Sequence, residues 1–318
     1  EALAELRRLG CTKVQIGVQS LDERTLSLNA RRLSPARIAE AFALLRLFGF
    51  KIHAHFMANL LGATPAADKR DYRRLVADPA FLPDEVKLYP CALVDGTGLM
   101  AHYRDGSWRS YTEEELLDVL VEDAAATPPY TRISRMIRDI SSHDIVAGNK
   151  KVNLRQLVER RAEEAGVRFE EIRTREIGTD GADVDTLALS VVAYETAVAS
   201  ERFLQWTAPD GRIAAFLRLS LPFPSCVDDL RERFADFPIG PSEAMIREVH
   251  VYGAVAGLHR TSAGAQHLGL GKRLIEAATD IAREAGCEAL NVISAVGTRE
   301  YYRGLGFQDK GMYQRKTL

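Results

Sequence analysis

Three groups of residues in this chain have types and spacings that could do chemistry. The first is the turn Gln266-His267-Leu268-Gly269-Leu270-Gly271-Lys272, which runs into Leu274, Ala278, Ile281 and Ala285 at helical spacing. Glycines at a helix entrance leave several backbone N–H groups unpaired at its positive end, and such a turn can cradle a pyrophosphate. The glycine spacing by itself would suit a turn with no ligand equally well. The second group is Tyr301 and Tyr302 in a short helix, with His250 in a strand. A phenol can give a hydrogen bond or a proton to a leaving atom; the competing readings are helix packing for the tyrosines and a satisfied sheet residue for His250. Neighbouring helix positions point about 100° apart, so the two phenols cannot face one pocket.

The third group is basic. Arg132, Arg135, Arg138, Lys150, Lys151 and Arg155 stand against only Asp139 and Asp144 between residues 132 and 155. Such a segment can grip phosphates, or it can be a solvated face. A strand would put Arg132 and Arg138 on the same side. The four cysteines, Cys11, Cys91, Cys226 and Cys287, lie far apart with no CxxC pair. Neither a zinc ribbon nor an iron–sulfur loop can be read from them, so no metal ligand is assigned. A disulfide framework is not expected, which points to a reducing, cytoplasmic location.

The elements that must position these residues fall into two styles. Leu3, Leu6 and Leu9 followed by Gly10 predict a helix with a glycine stop, leading into the buried strand 14–20. A helix from Ser34-Pro35 to Phe48, a strand over 51–60, a helix over 66–77, a strand over 85–91 and a helix over 112–126 follow, the last with Thr112 and Glu115 as a capping box. A strand is expected over 131–140. Strand–helix alternation with short connections implies parallel βα units, whose chemistry sits at the carboxyl ends of the strands. Because the chain opens on a helix feeding a buried strand, we expect this half to be the later part of an α/β domain.

A helix beginning at Asn153 and a charged stretch with Gly178 and Gly181 then break the rhythm, placing a boundary near 180. From 184 the pattern becomes a meander with a Pro209-Asp210-Gly211 hairpin turn, a strand over 244–257, the glycine-led helix, a strand over 291–296 and a short helix ending at Gly306. Composition agrees with a globular chain: 318 residues, 46% apolar, 27% charged, net charge -2. Disorder and a membrane span are excluded, and no global charge draws the protein to nucleic acid.

The QxxGxG turn after a strand, followed by YxxxGF from Tyr302 to Phe307, resembles the GNAT acetyltransferase superfamily. Longer stretches (GCTKVQIGVQSLDE, PDEVKLYPC, GTGL, NLRQL, IRTREIG, IREVHVYG and VISAVGTREYYRGLGF) are similar to the family of the Elongator catalytic subunit, elongator protein 3, over essentially the whole chain. The resemblance implies a partial radical S-adenosylmethionine (βα) barrel with a basic linker over 1–180, followed by a GNAT-like α+β domain over 181–318. It implies a tRNA-modifying acyltransferase-class enzyme that builds 5-carboxymethyluridine at the wobble uridine. Acetyl-CoA, S-adenosylmethionine and a [4Fe–4S] cluster would be its cofactors. In that scheme a 5′-deoxyadenosyl radical takes hydrogen from the acetyl methyl, the carbon radical adds to C5, and the thioester is hydrolysed.

Residue by residue, the resemblance carries over Glu248, Val249, His250 and Val251 as the strand lining acetyl-CoA. Gln266, Gly269, Leu270, Gly271 and Lys272 become its pyrophosphate turn. Tyr302 becomes the tyrosine near sulfur, with Tyr301 packed or facing substrate, and His250 joins them as a catalytic candidate. Gln19 and Ser20 match positions near S-adenosylmethionine. The family's cluster cysteines are expected upstream of Glu1, and Phe56-Met57-Ala58-Asn59-Leu60-Leu61 departs from its methionine–proline segment. The six basic residues would bind a tRNA anticodon stem-loop, in a homodimer or an Elongator-type assembly, with no membrane. A degenerate acetyl-CoA- and RNA-binding module and a protein lysine acetyltransferase are the alternatives.

Overall fold

The computed structural model describes residues 1–137, 140–178, 184–234, 237–252 and 268–318. Its first elements are α1 (Ala2–Arg8), β1 (Lys13–Gln19), α2 (Glu23–Leu28), α3 (Pro35–Leu47), β2 (Lys51–Ala58), α4 (Pro65–Ala77), β3 (Glu85–Pro90) and β4 (Leu93–Val94). Next come α5 (Leu99–Arg104), α6 (Glu113–Ala126), β5 (Arg132–Arg135), β6 (Ile145–Ala147) and α7 (Leu154–Glu164). The chain continues with β7 (Ala188–Glu195), β8 (Ala199–Thr207), β9 (Ile213–Pro222), α8 (Pro224–Arg233) and β10 (Glu243–Val251). It ends with α9 (Leu268–Glu284), β11 (Ala289–Val292), α10 (Arg299–Arg303), β12 (Gln308–Lys310) and β13 (Tyr313–Thr317). Contacts divide the chain into two compact units, one of residues 15–42 and 52–174, the other of 1–14, 43–51 and 175–318.

The first unit is organised by a four-stranded sheet of order β1-β2-β3-β5, in which β2–β3 and β3–β5 are parallel. Alternation along β2 sends Ile52, Ala54, Phe56 and Ala58 into the apolar core and puts His53, His55 and Met57 on the other side. The helices are capped locally. Thr64 accepts from the Ala67 N–H and Pro65 sits in the first turn of α4. At α6, Thr112 and Glu115 exchange the two bonds of a capping box. The strand expected over 131–140 is confined to Arg132–Arg135, where a register shift against β3 interrupts the ladder. Ile145–Ala147 leaves that sheet to pair with β4 in a separate ribbon.

The second unit is built on a seven-stranded sheet of order β12-β13-β11-β10-β9-β8-β7. One face is apolar. Leu274, Ile275, Ala278 and Ala282 of α9 bury against Leu204, Leu217, Leu219 and Ile246 of the strands. Each large apolar side chain contributes about 1.5–3 kcal/mol on burial. The opposite face is charged. Glu201 lies between Arg46 and Arg247, whose Nη2 is 3.0 Å from its carboxylate, and all three are essentially buried. Residues 43–51 therefore belong to this unit through ion pairs to its sheet.

Candidate active site

The strand β10 changes partners along its length. It pairs parallel with β11 from Glu243 to Ile246, where Glu243 lies beside Ala289 and Ile246 beside Val292. A bulge between Ile246 and Glu248 then turns it, and Glu248–Val251 continues antiparallel to β9. The last bond to the β11 side is Ile293 N–H to Ile246 O, 3.1 Å. Beyond it the two strands part, and the edge of β10 from Glu248 to Val251 that faced β11 becomes a wall of unused backbone groups. A slot with such walls can hold an extended amide-bearing chain by β-type hydrogen bonds.

The N-terminal turn of α9 stands at the same place. A Cβ added to Gly271 would lie 3.0 Å from the Tyr301 hydroxyl and 3.6 Å from a Val251 methyl. A Cβ at Gly269 would meet nothing within 4 Å, so this turn offers its backbone to open space. Three candidates from the sequence, Val251, Gly271 and Tyr301, thus converge. Leu270 is sunk in the core and contributes only its backbone, while Lys272 points outward to Glu276 at 3.7 Å. Gln266 lies outside the described residues. The open turn, the slot and the phenol fit a pyrophosphate-bearing thioester cofactor such as acetyl-CoA.

The two tyrosines separate as their 100° spacing requires. Tyr301 is 41% exposed and reaches Gly271. Tyr302 is buried in the α9 cluster, its ring 5.7 Å from Phe307. Burial pushes both phenols above their ordinary value, Tyr302 most strongly. Both stay protonated, and Tyr301 is the one whose O–H meets the turn. His250 also separates from its neighbours. Val249 and Val251 pack toward α9, whereas Glu248 and His250 pair with Arg218 and Phe216 on the opposite face. Lys51 and Arg218 flank Glu248 at 2.6 and 2.9 Å. Burial opposes ionisation of Glu248, but these two cations outweigh it and hold the carboxyl below its ordinary value.

In the four-stranded sheet, Gln19 takes a left-handed conformation, φ 67°, at the carboxyl end of β1. Ser20 beside it is buried and donates to Asp71 at 2.5 Å, so its hydroxyl is engaged in fixing the loop to α4. Asn59, at the end of β2, is also left-handed and is woven into internal bonds with Asp68, Arg109 and Tyr111. The polar side of this sheet carries further groups that the motif search passed over. His53 lies 3.0 Å from Ser134 and 3.5 Å from Glu85, while His55 and Lys87 each lie 3.0 Å from Gln15. The signal was the alternation in KIHAHFMA and EVKLYP. Parallel strands usually bury both faces and read as continuous apolar runs, so polar residues at every second position mark a face kept for something other than helices.

The basic residues do not form one strip. Arg132 is 3.6 Å from Glu85, Arg155 is 3.2 Å from Glu171 and also donates to Ile133 O, and Lys151 is 2.7 Å from Glu113. Arg135 and Lys150 are exposed, and Arg138 lies outside the described residues. Among the described residues no three His, Cys, Asp or Glu side chains stand together as a metal site, and all four cysteines are free thiols. This donor set does not fit an iron–sulfur cluster, and no step is derived through one. No helix among the described residues is long and apolar enough to cross a membrane.

Comparison with known proteins agrees with both halves. Residues 83–164 match the Radical_SAM C-terminal domain, and residues 191–307 match the Acetyltransferase (GNAT) family. The chain is 35% identical to the tRNA uridine(34) acetyltransferase of Dehalococcoides mccartyi, covering 99% of this chain and 69% of that protein. It is 34% identical to human Elongator complex protein 3, covering 99% of this chain and 58% of that one. Among solved structures, the archaeal Methanocaldococcus infernus Elp3 with an N-terminal deletion superposes with a TM-score of 0.88 at 33% identity, over 99% of this chain and 74% of that one.

Proposed function

We propose, from the premise that this chain belongs to the family of the tRNA uridine(34) acetyltransferases and Elongator complex protein 3, that it is an acyltransferase-class enzyme that modifies the wobble uridine of tRNA. The observation that carries the reading is the convergence of the β10 slot, the Gly269–Gly271 backbone and the Tyr301 hydroxyl at the start of α9. Acetyl-CoA bound there would supply the two-carbon unit of the carboxymethyl group.

The chain's own residues would then act as follows. Backbone N–H groups at Gly269–Lys272 hold the pyrophosphate, and the β10 backbone of Glu248–Val251 aligns the pantetheine. Tyr301 donates to the thioester sulfur, because its hydroxyl is the one against the turn. Tyr302 supports it from the core with Phe307. His250 is not assigned to the thioester, since its side chain is on the far face of the sheet.

We assign the polar face of the four-stranded sheet, with Gln15, His53, His55 and Lys87, to S-adenosylmethionine, with Gln19 at the strand end beside it. The division of labour follows the boundary near 180. Lys150, Lys151 and Arg135 are the basic groups best placed to meet an anticodon stem-loop. A cytoplasmic enzyme acting in a homodimer or an Elongator-type assembly completes the reading. Calorimetry with acetyl-CoA and a hydrolysis assay with and without tRNA test it. Binding at one site, with hydrolysis that rises when tRNA is added, supports the reading. Acetyl transfer to a lysine peptide with indifference to tRNA overturns it.

A further inference from the structure

We propose that the face of the seven-stranded sheet turned away from α9 carries a stacking shelf for one unpaired nucleobase, with His250 as its outer ring. The inference rests on the reading that the protein acts on RNA, and it adds where a base would lie.

The observation is a ladder of rings rising out of the core. Phe203 of β8 and Phe216 of β9 are buried, with centroids 5.2 Å apart. The imidazole of His250 lies on Phe216 at 5.5 Å and only 22° from parallel, and it is exposed. Tyr252 closes the side, its ring 4.4 Å from His250 at 62°, and its hydroxyl donates to Glu176 at 3.1 Å. One face of the imidazole is therefore packed on an aromatic ring, its edge is fixed, and the ladder ends in solvent.

The support beneath is rigid. The Arg218 guanidinium lies 5.1 Å from the Phe203 centroid and 5.5 Å from that of Phe216. Glu248 holds it at 2.9 Å, and Lys51 holds Glu248 at 2.6 Å. Glu176 and Glu248 set against Lys51 and Arg218 leave the shelf without net charge, which suits a flat neutral heterocycle better than a phosphate. Proteins that read single-stranded RNA splay bases onto such aromatic faces, and the stack contributes about 1–3 kcal/mol per base. His250 also lies on the stretch of β10 that has left β11, so a base on the shelf would sit beside the slot, on the side opposite α9.

The test compares two anticodon stem-loop RNAs on the full chain, one with uridine at the wobble position and one with an abasic residue there. His250→Ala should weaken the uridine RNA by about 5- to 100-fold, the range expected for one lost stack. His250→Phe, which keeps a flat ring, should restore binding to within a few-fold of wild type. On the abasic RNA the wild type should already bind weakly, and His250→Ala should cost nothing more. Equal losses on both RNAs, no loss on either, or failure of His250→Phe to restore binding would each overturn the shelf. Failure of the wild type to bind either RNA would overturn the tRNA reading itself, and the shelf with it.

Discussion

The two sheets of this chain both carry ionisable groups on one partly buried face, and they accommodate them in opposite ways. In the seven-stranded sheet each carboxylate is clamped between two cations. Glu201 has Arg46 and Arg247, with Ser220 donating at 2.6 Å, and Glu248 has Lys51 and Arg218. In the four-stranded sheet the imidazoles and the lysine meet neutral or single partners, with His53 on Ser134 and Glu85, and both His55 and Lys87 on one amide oxygen of Gln15. The first arrangement saturates its charges and serves to hold segments together. The second leaves donors and acceptors with capacity to spare, as a face that receives a polar ligand must.

That contrast is most exposed at Glu201. Glu201→Ala would leave two guanidinium groups buried without a counter-charge, and breaking a buried pair in this way costs about 3–5 kcal/mol. We expect a corresponding fall in the denaturant midpoint for the unit that contains it. A loss below about 1 kcal/mol would mean that Arg46 and Arg247 find water or other acceptors, and the clamp would be no more than a crowded surface.

The next effect concerns the apolar face of the same sheet. Gly271→Glu would drive a side chain into the Tyr301 hydroxyl and place a negative charge at a helix start that favours anions. Acetyl-CoA affinity should fall by about 100-fold or more, about 3 kcal/mol, while the far-ultraviolet circular dichroism stays that of a folded chain. Unchanged affinity in a folded variant would remove the turn from the cofactor site.

Much of this was legible in the residues. The apolar stripe of α9, the Thr112–Glu115 capping box and the hairpin at Pro209-Asp210-Gly211 are local patterns, and local patterns survive into the structure. What was not legible is what depends on distant partners. Nothing in AFALLRLFGFK says that Arg46 and Lys51 will answer Glu201 and Glu248, so the membership of 43–51 in the later unit could not be read. The short helices α2 and α8 were missed because few apolar repeats fit in them. TRISRMIRDI looked like one strand because Ile133, Met136 and Ile137 are apolar, yet only its first part finds β3. The side of β10 on which His250 lies was readable from alternation alone, but only once Val249 and Val251 were known to face α9.

A carboxylate with no cation at all sharpens the comparison further. Asp68 on α4 accepts from the Asn59 N–H and the Tyr111 O–H, both at 2.7 Å, and burial outweighs these bonds to raise its pKa from 3.8 to about 6. Below pH 3.8 it is protonated folded and unfolded alike, and it contributes no pH dependence. Between 3.8 and about 6 the unfolded chain ionises first, so stability falls as pH rises. Above that window the penalty is constant at up to about 3 kcal/mol. Asp68→Asn should therefore gain stability near neutral pH and lose the advantage in acid, by urea midpoints at about pH 4 and pH 7.5. A gain of equal size at both would show that Asp68 is destabilising for reasons other than its charge.

The smallest expected effect separates saturated cations from available ones in the basic segment. Arg132 and Arg155 are spent on Glu85 and Glu171 in the manner of the seven-stranded sheet, so they should matter to stability rather than to RNA. Lys150 is exposed, and Lys151 is only half engaged, 48% exposed and 2.7 Å from Glu113. Reversing both, Lys150→Glu with Lys151→Glu, should weaken an anticodon stem-loop several-fold at low salt and lower the slope of log affinity against log salt by about 1. The slope should fall by less than the two charges removed, because Glu113 already neutralises part of Lys151. Filter binding at two salt concentrations measures it. An unchanged slope would make this segment a solvated face, and the phosphate contacts would have to be sought on other residues.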